Sequence, residues 1–128
     1  MVIYISGAIR GVQNFREHFG SAESKLLAAN EKRKAKLPRA GTIEVINPAR
    51  FVYPESEKLP HEKERAIMKI CKGYLDMSDA IYLLQGWENS TGAKAELMYF
   101  LNSNSEGEVY VEGGTSAKYK RLFDGVIE

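Results

Sequence analysis

The sequence predicts a single three-layer α/β/α domain with a mostly parallel, doubly wound sheet of four to five strands. Short apolar runs typical of buried strands alternate with longer segments whose apolar residues recur at helical spacing, which is the pattern of an α/β protein. One of the runs, Ala80–Leu84, is apolar on both faces, as expected for a parallel strand covered by helices on both sides. The length of 128 residues fits one domain, which we assign to residues 1–128.

The composition argues against several classes of protein. Hydrophobic residues make up 44% and charged residues 27% of the chain, a balance typical of a globular protein and not of a disordered one. The net charge of +1 argues against a protein held to nucleic acid by bulk charge. One cysteine cannot form an internal disulfide, and together with two histidines it is too little for a zinc site of Cys and His.

The sequence also lacks the signals of a membrane protein or an exported one. No apolar run approaches the roughly 18 residues of a membrane-spanning helix. Met1–Ile5 has neither the basic region nor the cleavage site of a signal peptide. We therefore expect a cytoplasmic protein that contacts no membrane and has no specific nucleic-acid partner.

The first half of the chain is expected to contain two strands and one long helix. Val2–Ser6 is an apolar run typical of a buried strand. Asn14, with Glu17 three residues later, predicts the N-cap of a capping box. Apolar residues then follow at spacings of three and four, which predicts a helix packed on a sheet: Phe15, Phe19, Ala22, Leu26 and Ala29. Thr42–Ile46 is the second strand, and Asn47-Pro48 ends it.

The stretch from residue 31 to residue 41 is strongly basic and open to two interpretations. Its basic residues are Lys32, Arg33, Lys34, Lys36 and Arg39. Runs of charge are most often solvated surface, which favours the end of a helix and a loop. The other interpretation is a surface patch for an acidic partner.

The second half is expected to alternate two helices with two strands. His61–Ser78 has helical periodicity, and one face would collect Ile67, Ile70, Cys71, Tyr74 and Leu75. Asp79–Leu84 is the third strand. Ser90 predicts the N-cap of the next helix, with an inner stripe of Ala93, Leu97 and Leu101. Glu108–Val111 is the fourth strand, and a last short helix is expected over Ser116–Phe123.

Ligands of open α/β sheets bind outside the carboxyl ends of the strands, which directs attention to three loops. The first is Ser6–Gly11, where glycines let N–H groups approach an anion and Arg10 adds donors suited to phosphate. A plain strand-to-helix turn with a solvent-facing arginine fits the spacing equally well. Neither the dinucleotide fingerprint nor the P-loop pattern is present. The third loop is Glu112–Ser116.

The second loop, Gly86–Glu96, combines an anion site with a carboxylate. A helix that begins at Ser90 presents free N–H groups and a hydroxyl to an anion. Gly92 has no side chain that would keep a ligand from the backbone. Glu96 could attack a sugar or stabilise an oxocarbenium-like transition state. From the residues alone, a surface glutamate paired with Lys94 is the more common case.

Four stretches together resemble a known family: YISGAIRG (Tyr4–Gly11), VINP (Val45–Pro48), DAIYLL (Asp79–Leu84) and GWENSTGAKAE (Gly86–Glu96). They are similar to the nucleoside 2-deoxyribosyltransferase superfamily, in particular to its branch known as the DUF4406 group. The resemblance implies a flavodoxin/Rossmann-like sheet. It also implies an enzyme that cleaves the N-glycosidic bond of a (deoxy)nucleoside 5′-monophosphate or a nucleoside, by hydrolysis or base transfer, with no cofactor and no metal.

The resemblance also implies roles for individual residues. Glu96 matches the family's nucleophile, and Tyr4 matches a tyrosine that lies near the nucleophile and the sugar. The first loop is similar to that of the deoxynucleoside 5′-monophosphate N-glycosidases, in which the arginine matched by Arg10 helps to bind phosphate. The substrate- or phosphate-binding residues that it implies are Gly7, Ala8, Ile9, Arg10, Gly11, Ser90, Gly92 and, near a neighbouring subunit's pocket, Ser116.

A homodimer or higher homo-oligomer is implied as well, because a neighbouring subunit often completes the site in this superfamily. Tyr99 and Phe100 are expected to be exposed and to fit such an interface. Trp87 has two open interpretations: it stacks on a base, or it contacts a second copy.

One departure from the family pattern bears on activity. Cys71 stands where the superfamily usually has an acid, and the nearby Asp76 should face elsewhere because it lies about a turn and a half further along the helix. A missing proton donor costs about 10²–10⁴-fold in rate if no other group replaces it. This favours the alternative function, a catalytically weak or inactive nucleotide-binding or sensor module. Cys71 itself is most simply a small buried apolar residue.

Overall fold

The computed structural model describes residues 1–9, 12–39, 41–51, 61–104 and 106–114. Its helices and strands, in chain order, are β1 (Val2–Ser6), α1 (Phe15–Lys36), β2 (Glu44–Ile46), α2 (His61–Asp76), β3 (Ala80–Leu83), α3 (Thr91–Ser103) and β4 (Glu108–Val111). The short helix expected over Ser116–Phe123 lies outside the described residues. No helix within the described ranges has the length and apolar character needed to cross a membrane.

The four strands form one parallel sheet in the order β2-β1-β3-β4. The chain runs outward from β1 to β2 and then crosses back to β3, so the sheet is doubly wound. Tyr4 of β1 lies beside Ile81 of β3, and Ser6 lies beside Leu83. The fold class is therefore confirmed, with four strands in the described part of the chain.

Each face of the sheet has its own core, because successive side chains of a strand point to opposite faces. Ile3 and Ile5 of β1 point toward α1 and pack with Phe19 and Leu26. The opposite core, under α2 and α3, contains Tyr4, Leu75, Ile81, Leu83, Trp87, Ala93, Leu97, Phe100 and Val111. We call this second set the α2/α3 core. Tyr4 and Ser6, two residues apart on β1, therefore share the face covered by α2 and α3.

α1 begins where the sequence predicts but not in the predicted way. Asn14 is the residue before the helix, yet its side chain makes no capping hydrogen bond. Its Nδ2 atom instead lies 3.3 Å from Nε2 of His18. The predicted capping box with Glu17 is therefore wrong. The helix continues to Lys36, so most of the basic stretch forms the last turns of α1.

The buried faces of α2 and α3 also differ in part from the prediction. The inner row of α2 is Ile67, Cys71 and Leu75, spaced by four, whereas Ile70 and Tyr74 lie on a neighbouring, more exposed row. On α3 the prediction is reversed: Phe100 is fully buried and Leu101 is exposed. Phe100 therefore cannot belong to an exposed apolar interface. Tyr99 is half-buried, and its hydroxyl donates to Asp76.

Candidate functional site

Glu96 belongs to α3, and its carboxylate lies at the carboxyl end of β1, where two hydroxyl groups hold it. The Tyr4 hydroxyl donates to Oε2, and Ser6 Oγ donates to Oε1 at 2.8 Å. Both donors are 0% exposed. The interpretation of Glu96 as an ordinary surface glutamate is therefore wrong, because its carboxylate points at the sheet.

The secondary structure explains why these three residues meet. Tyr4 and Ser6 share one face of β1, at the end where the strand leaves the sheet. α3 lies over that face and buries Ala93 and Leu97. Side chains of a helix lean toward its N-terminus, so the Glu96 side chain leans toward the start of α3, which follows the carboxyl end of β3.

Ser6 is a site residue that the sequence analysis did not single out. A signal was present: Ser6 is the last residue of an otherwise apolar buried strand and lies two positions after Tyr4. A hydroxyl at such a position needs a polar partner, because burying an unpaired polar group is unfavourable. Here the partner is Glu96.

Cys71 of α2 approaches Tyr4 from the other side. Its thiol is half-buried and lies beside the Tyr4 hydroxyl. Burial raises the pKa of the thiol, and the neighbouring Glu96 carboxylate adds to this, although the contact with Tyr4 opposes it. Cys71, Tyr4, Glu96 and Ser6 thus form a line of neighbouring polar groups across the α2/α3 face of the sheet, in which Glu96 is hydrogen-bonded to Tyr4 and Ser6.

Asp76 does not supply the acid that Cys71 replaces. It is exposed, and its Oδ1 accepts a hydrogen bond from the Tyr99 hydroxyl at 2.8 Å. The expectation that this carboxylate faces elsewhere is confirmed. Among the described residues, no group of three or more His, Cys, Asp or Glu side chains is arranged to hold a metal ion.

Burial and hydrogen bonding act in opposite directions on the Glu96 carboxylate. Burial raises its pKa, while the hydrogen bonds from Tyr4 and Ser6 stabilise the charged form and lower it; burial is the larger effect. For Tyr4, burial and then the nearby Glu96 charge raise the pKa well above its usual range. Tyr4 is therefore a neutral donor at ordinary pH.

The start of α3 has the features of an anion site. Ser90 is the N-cap, as predicted, and its Oγ accepts from the backbone N–H of Ala93 at 3.1 Å. A hydroxyl has two acceptor lone pairs and one proton, so capping leaves its O–H available to a ligand. A Cβ at Gly92 would have only Ser90 Oγ near it, at 3.9 Å, so space is open above the backbone there.

The capping bond itself gives a stability prediction. Ser90→Ala is expected to lower the free energy of unfolding by about 1 kcal/mol, because the N–H of Ala93 loses its acceptor. Urea unfolding measures the change. Thr91→Ala, an exposed substitution one residue later, is the control and should change stability by less. Equal stability of Ser90→Ala and the wild type would contradict the capping role.

The loop after β1 is only partly described. A Cβ at Gly7 would lie 2.9 Å from the Leu84 side chain, so glycine is needed there for packing against the end of β3. The Ala8 side chain is half-buried, and Ile9 packs against the core under α1. Arg10, Gly11 and Ser116 lie outside the described residues. A phosphate-binding role for this loop stays a prediction.

Trp87 lies in a short 3₁₀ turn after Gly86 and packs into the α2/α3 core. Gly86 has a φ of 89°, a left-handed conformation that favours glycine. The tryptophan is 8% exposed, so little of its ring is left for a base or for a second copy of the chain. The structure thus gives Trp87 a packing role first.

The comparison with known families gives one match. The model of a family described as a domain of unknown function (DUF4406) matches residues 1–106. The match contains β1, α2 and α3, which carry every residue of the Cys71–Tyr4–Glu96–Ser6 line. No curated protein shows significant similarity to the chain. Because the match covers most of the chain, the protein belongs to the DUF4406 family.

Proposed function

We propose that this protein cleaves the N-glycosidic bond of a nucleoside or a (deoxy)nucleoside 5′-monophosphate, by hydrolysis or base transfer, with Glu96 as the nucleophile. The observation that carries the proposal is the Glu96 carboxylate, held by Tyr4 and Ser6 at the carboxyl ends of the strands. The resemblance of the Tyr4–Gly11 and Gly86–Glu96 stretches to the nucleoside 2-deoxyribosyltransferase superfamily supports it. A pair of donors on a partly desolvated carboxylate is suited to orient an attacking oxygen.

In the proposed reaction a Glu96 oxygen attacks the anomeric carbon of the sugar. The new C–O bond forms as the C–N bond to the base breaks, and the bonding electron pair leaves with the base nitrogen, which takes up a proton from solvent. Water then attacks the same carbon, releases the sugar and restores the carboxylate, giving up a proton; a second base in place of water gives transfer. Tyr4 stays protonated throughout and acts as a hydrogen-bond donor.

The start of α3 is the proposed place for a phosphate. The Ser90 hydroxyl and the first free N–H groups of the helix are donors suited to an anion. The family resemblance assigns Arg10 to the same group. A substrate lying between this helix end and Glu96 would present its sugar to the carboxylate and its phosphate to Ser90.

The test is a panel of nucleosides and 5′-monophosphates, with ribose and deoxyribose, assayed for free base by chromatography. We expect base release by the wild type, faster from 5′-monophosphates than from the matching nucleosides. Glu96→Gln serves as the inactive reference. Faster release from free nucleosides would contradict the phosphate assignment. No release from any substrate would contradict the proposed enzymatic activity.

A nucleotide-binding module without turnover is the second candidate, and Cys71 is the observation that favours it. A thiol of raised pKa contacts Tyr4 where the related enzymes are expected to have an acid. This candidate predicts saturable nucleotide binding by calorimetry without base release over hours. Turnover that is lost in Glu96→Gln would exclude it.

A further inference from the structure

We infer that Ser6 is a positioning residue for the nucleophile: its hydroxyl orients the Glu96 carboxylate and stabilises its negative charge. The inference rests on the proposed function, since it assigns Ser6 a part in the same site. It does not depend on which base or sugar is the substrate.

The position of Ser6 makes its hydroxyl a fixed donor. Ser6 ends β1, which lies between β2 and β3, and its carbonyl accepts from the N–H of Leu84 at 2.8 Å. The side chain is 0% exposed, so water does not replace the hydroxyl if it is removed. Its Oγ lies 2.8 Å from Oε1 of Glu96. A donor carried by a paired strand holds the carboxylate in one orientation.

Ser6 differs from Tyr4, the other donor, in what else it touches. The Tyr4 hydroxyl has one proton and two neighbours, Glu96 and Cys71. The proton goes to Glu96, and the hydroxyl oxygen remains able to accept from the neutral Cys71 thiol, so the Tyr4 hydroxyl is shared between two groups. Among the described residues, the Ser6 hydroxyl has Glu96 as its partner. In the described part of the chain, Ser6 is thus the donor that serves Glu96 alone.

The groups around Glu96 make its ionisation measurable. Among the described residues, the titratable groups that face it are Tyr4 from β1 and Cys71 from α2. β3 presents the apolar Ile81 and Leu83 to this side of the sheet. Tyr4 and Cys71 both have raised pKa values and stay neutral at ordinary pH. With a nucleoside as substrate, which has no phosphate that titrates in the same range, the acidic limb of the activity profile therefore reports on Glu96.

The test compares Ser6→Ala with Ser78→Ala. Ser78 is the matched control, because it is also a buried serine, 2% exposed, but its hydroxyl donates to the carbonyl of Tyr74. A hydrogen bond donated to a carboxylate lowers its pKa, so losing it raises the pKa. In Ser6→Ala we expect the acidic limb of the kcat/KM profile to shift to higher pH by about one unit or more. On the acidic side of the limb, kcat/KM should fall about tenfold relative to the wild type, and the difference should disappear as the pH rises.

A second readout separates this inference from the proposed function. Carbon-13 NMR titration of the Glu96 carboxyl group, assigned with Glu96→Gln, measures its ionisation without any substrate. A higher pKa of Glu96 in Ser6→Ala, with no change in Ser78→Ala, supports the role of Ser6 even if no base is released. Absence of base release would overturn only the proposed enzymatic function. If Ser6→Ala does not fold, Ser6→Cys keeps the size with a weaker donor and should shift the same way. If Glu96 has the same pKa in the folded Ser6 variant as in the wild type, the inference is overturned.

Discussion

Replacing Glu96 with glutamine is expected to reduce base release by a factor of about 10⁴ or more. The change removes the attacking oxygen and its charge but keeps the size of the side chain. Glutamine still offers an oxygen that accepts from one hydroxyl and an amide that donates to the oxygen of the other, so Tyr4 and Ser6 both keep a partner. The loss should therefore be one of chemistry. The initial rate of base release, at saturating substrate, measures it.

Glu106→Gln is the matched control for this experiment. It makes the same chemical change at an exposed carboxylate, in the turn before β4. Its rate should equal that of the wild type. A Glu96→Gln protein that releases base at the wild-type rate would exclude Glu96 as the nucleophile, whatever the substrate.

The same variant should change how stability depends on pH. Burial leaves the pKa of Glu96 raised in the folded protein, so the folded state binds this proton more tightly than the unfolded chain, where the pKa is about 4.3. The contribution of Glu96 to the free energy of unfolding is therefore present at low pH and is lost as the pH rises through the pKa of Glu96 in the folded state. Glu96→Gln lacks that loss, so it should be at least as stable as the wild type at pH 7. Urea unfolding at several pH values tests this.

The strands and the place of the site were predictable because their signals are local. β4 has the predicted bounds, and β3 lies within the predicted run. Parallel pairing then brings the ends of β1 and β3 to one edge of the sheet, where Ser90 starts α3. A glutamate six residues after that cap, with its side chain leaning back toward the N-terminus, reaches this edge.

Other features depend on contacts that a linear pattern does not contain. The bond from Ser6 to Glu96 joins residues 90 positions apart, and it requires the packing of α3 on β1. The cap of α1 depends on where the Asn14 side chain turns, which is toward His18. The inner face of α2 is narrower than its apolar content indicates: Ile70 is exposed, and Tyr74 stacks on Phe51 at 5.3 Å between ring centres.

The burial of Phe100 in place of Leu101 follows from helix geometry. A helix turns about 100° per residue, so Phe100 lies about 20° from Ala93 around the axis, whereas Leu101 lies about 80° away. Ala93 and Leu97 fix the inner direction of α3, and Phe100 is the next residue close to it. The glycine at position 107 is part of the same packing, because a Cβ there would lie 2.4 Å from Cζ of Phe100.

Phe100→Ala is therefore expected to lower the free energy of unfolding by about 3–5 kcal/mol, since it leaves a cavity in the α2/α3 core. Leu101→Ala, next to it and 39% exposed, is the control and should cost about 1 kcal/mol or less. Urea unfolding measures both.

Phe100 lies one helical turn after Glu96 on the same helix, so a loosened α3 also displaces the carboxylate from Tyr4 and Ser6. Base release by Phe100→Ala should fall even at temperatures where the variant is folded. An unchanged rate in such a variant would mean that the first turns of α3 hold Glu96 without support from the core.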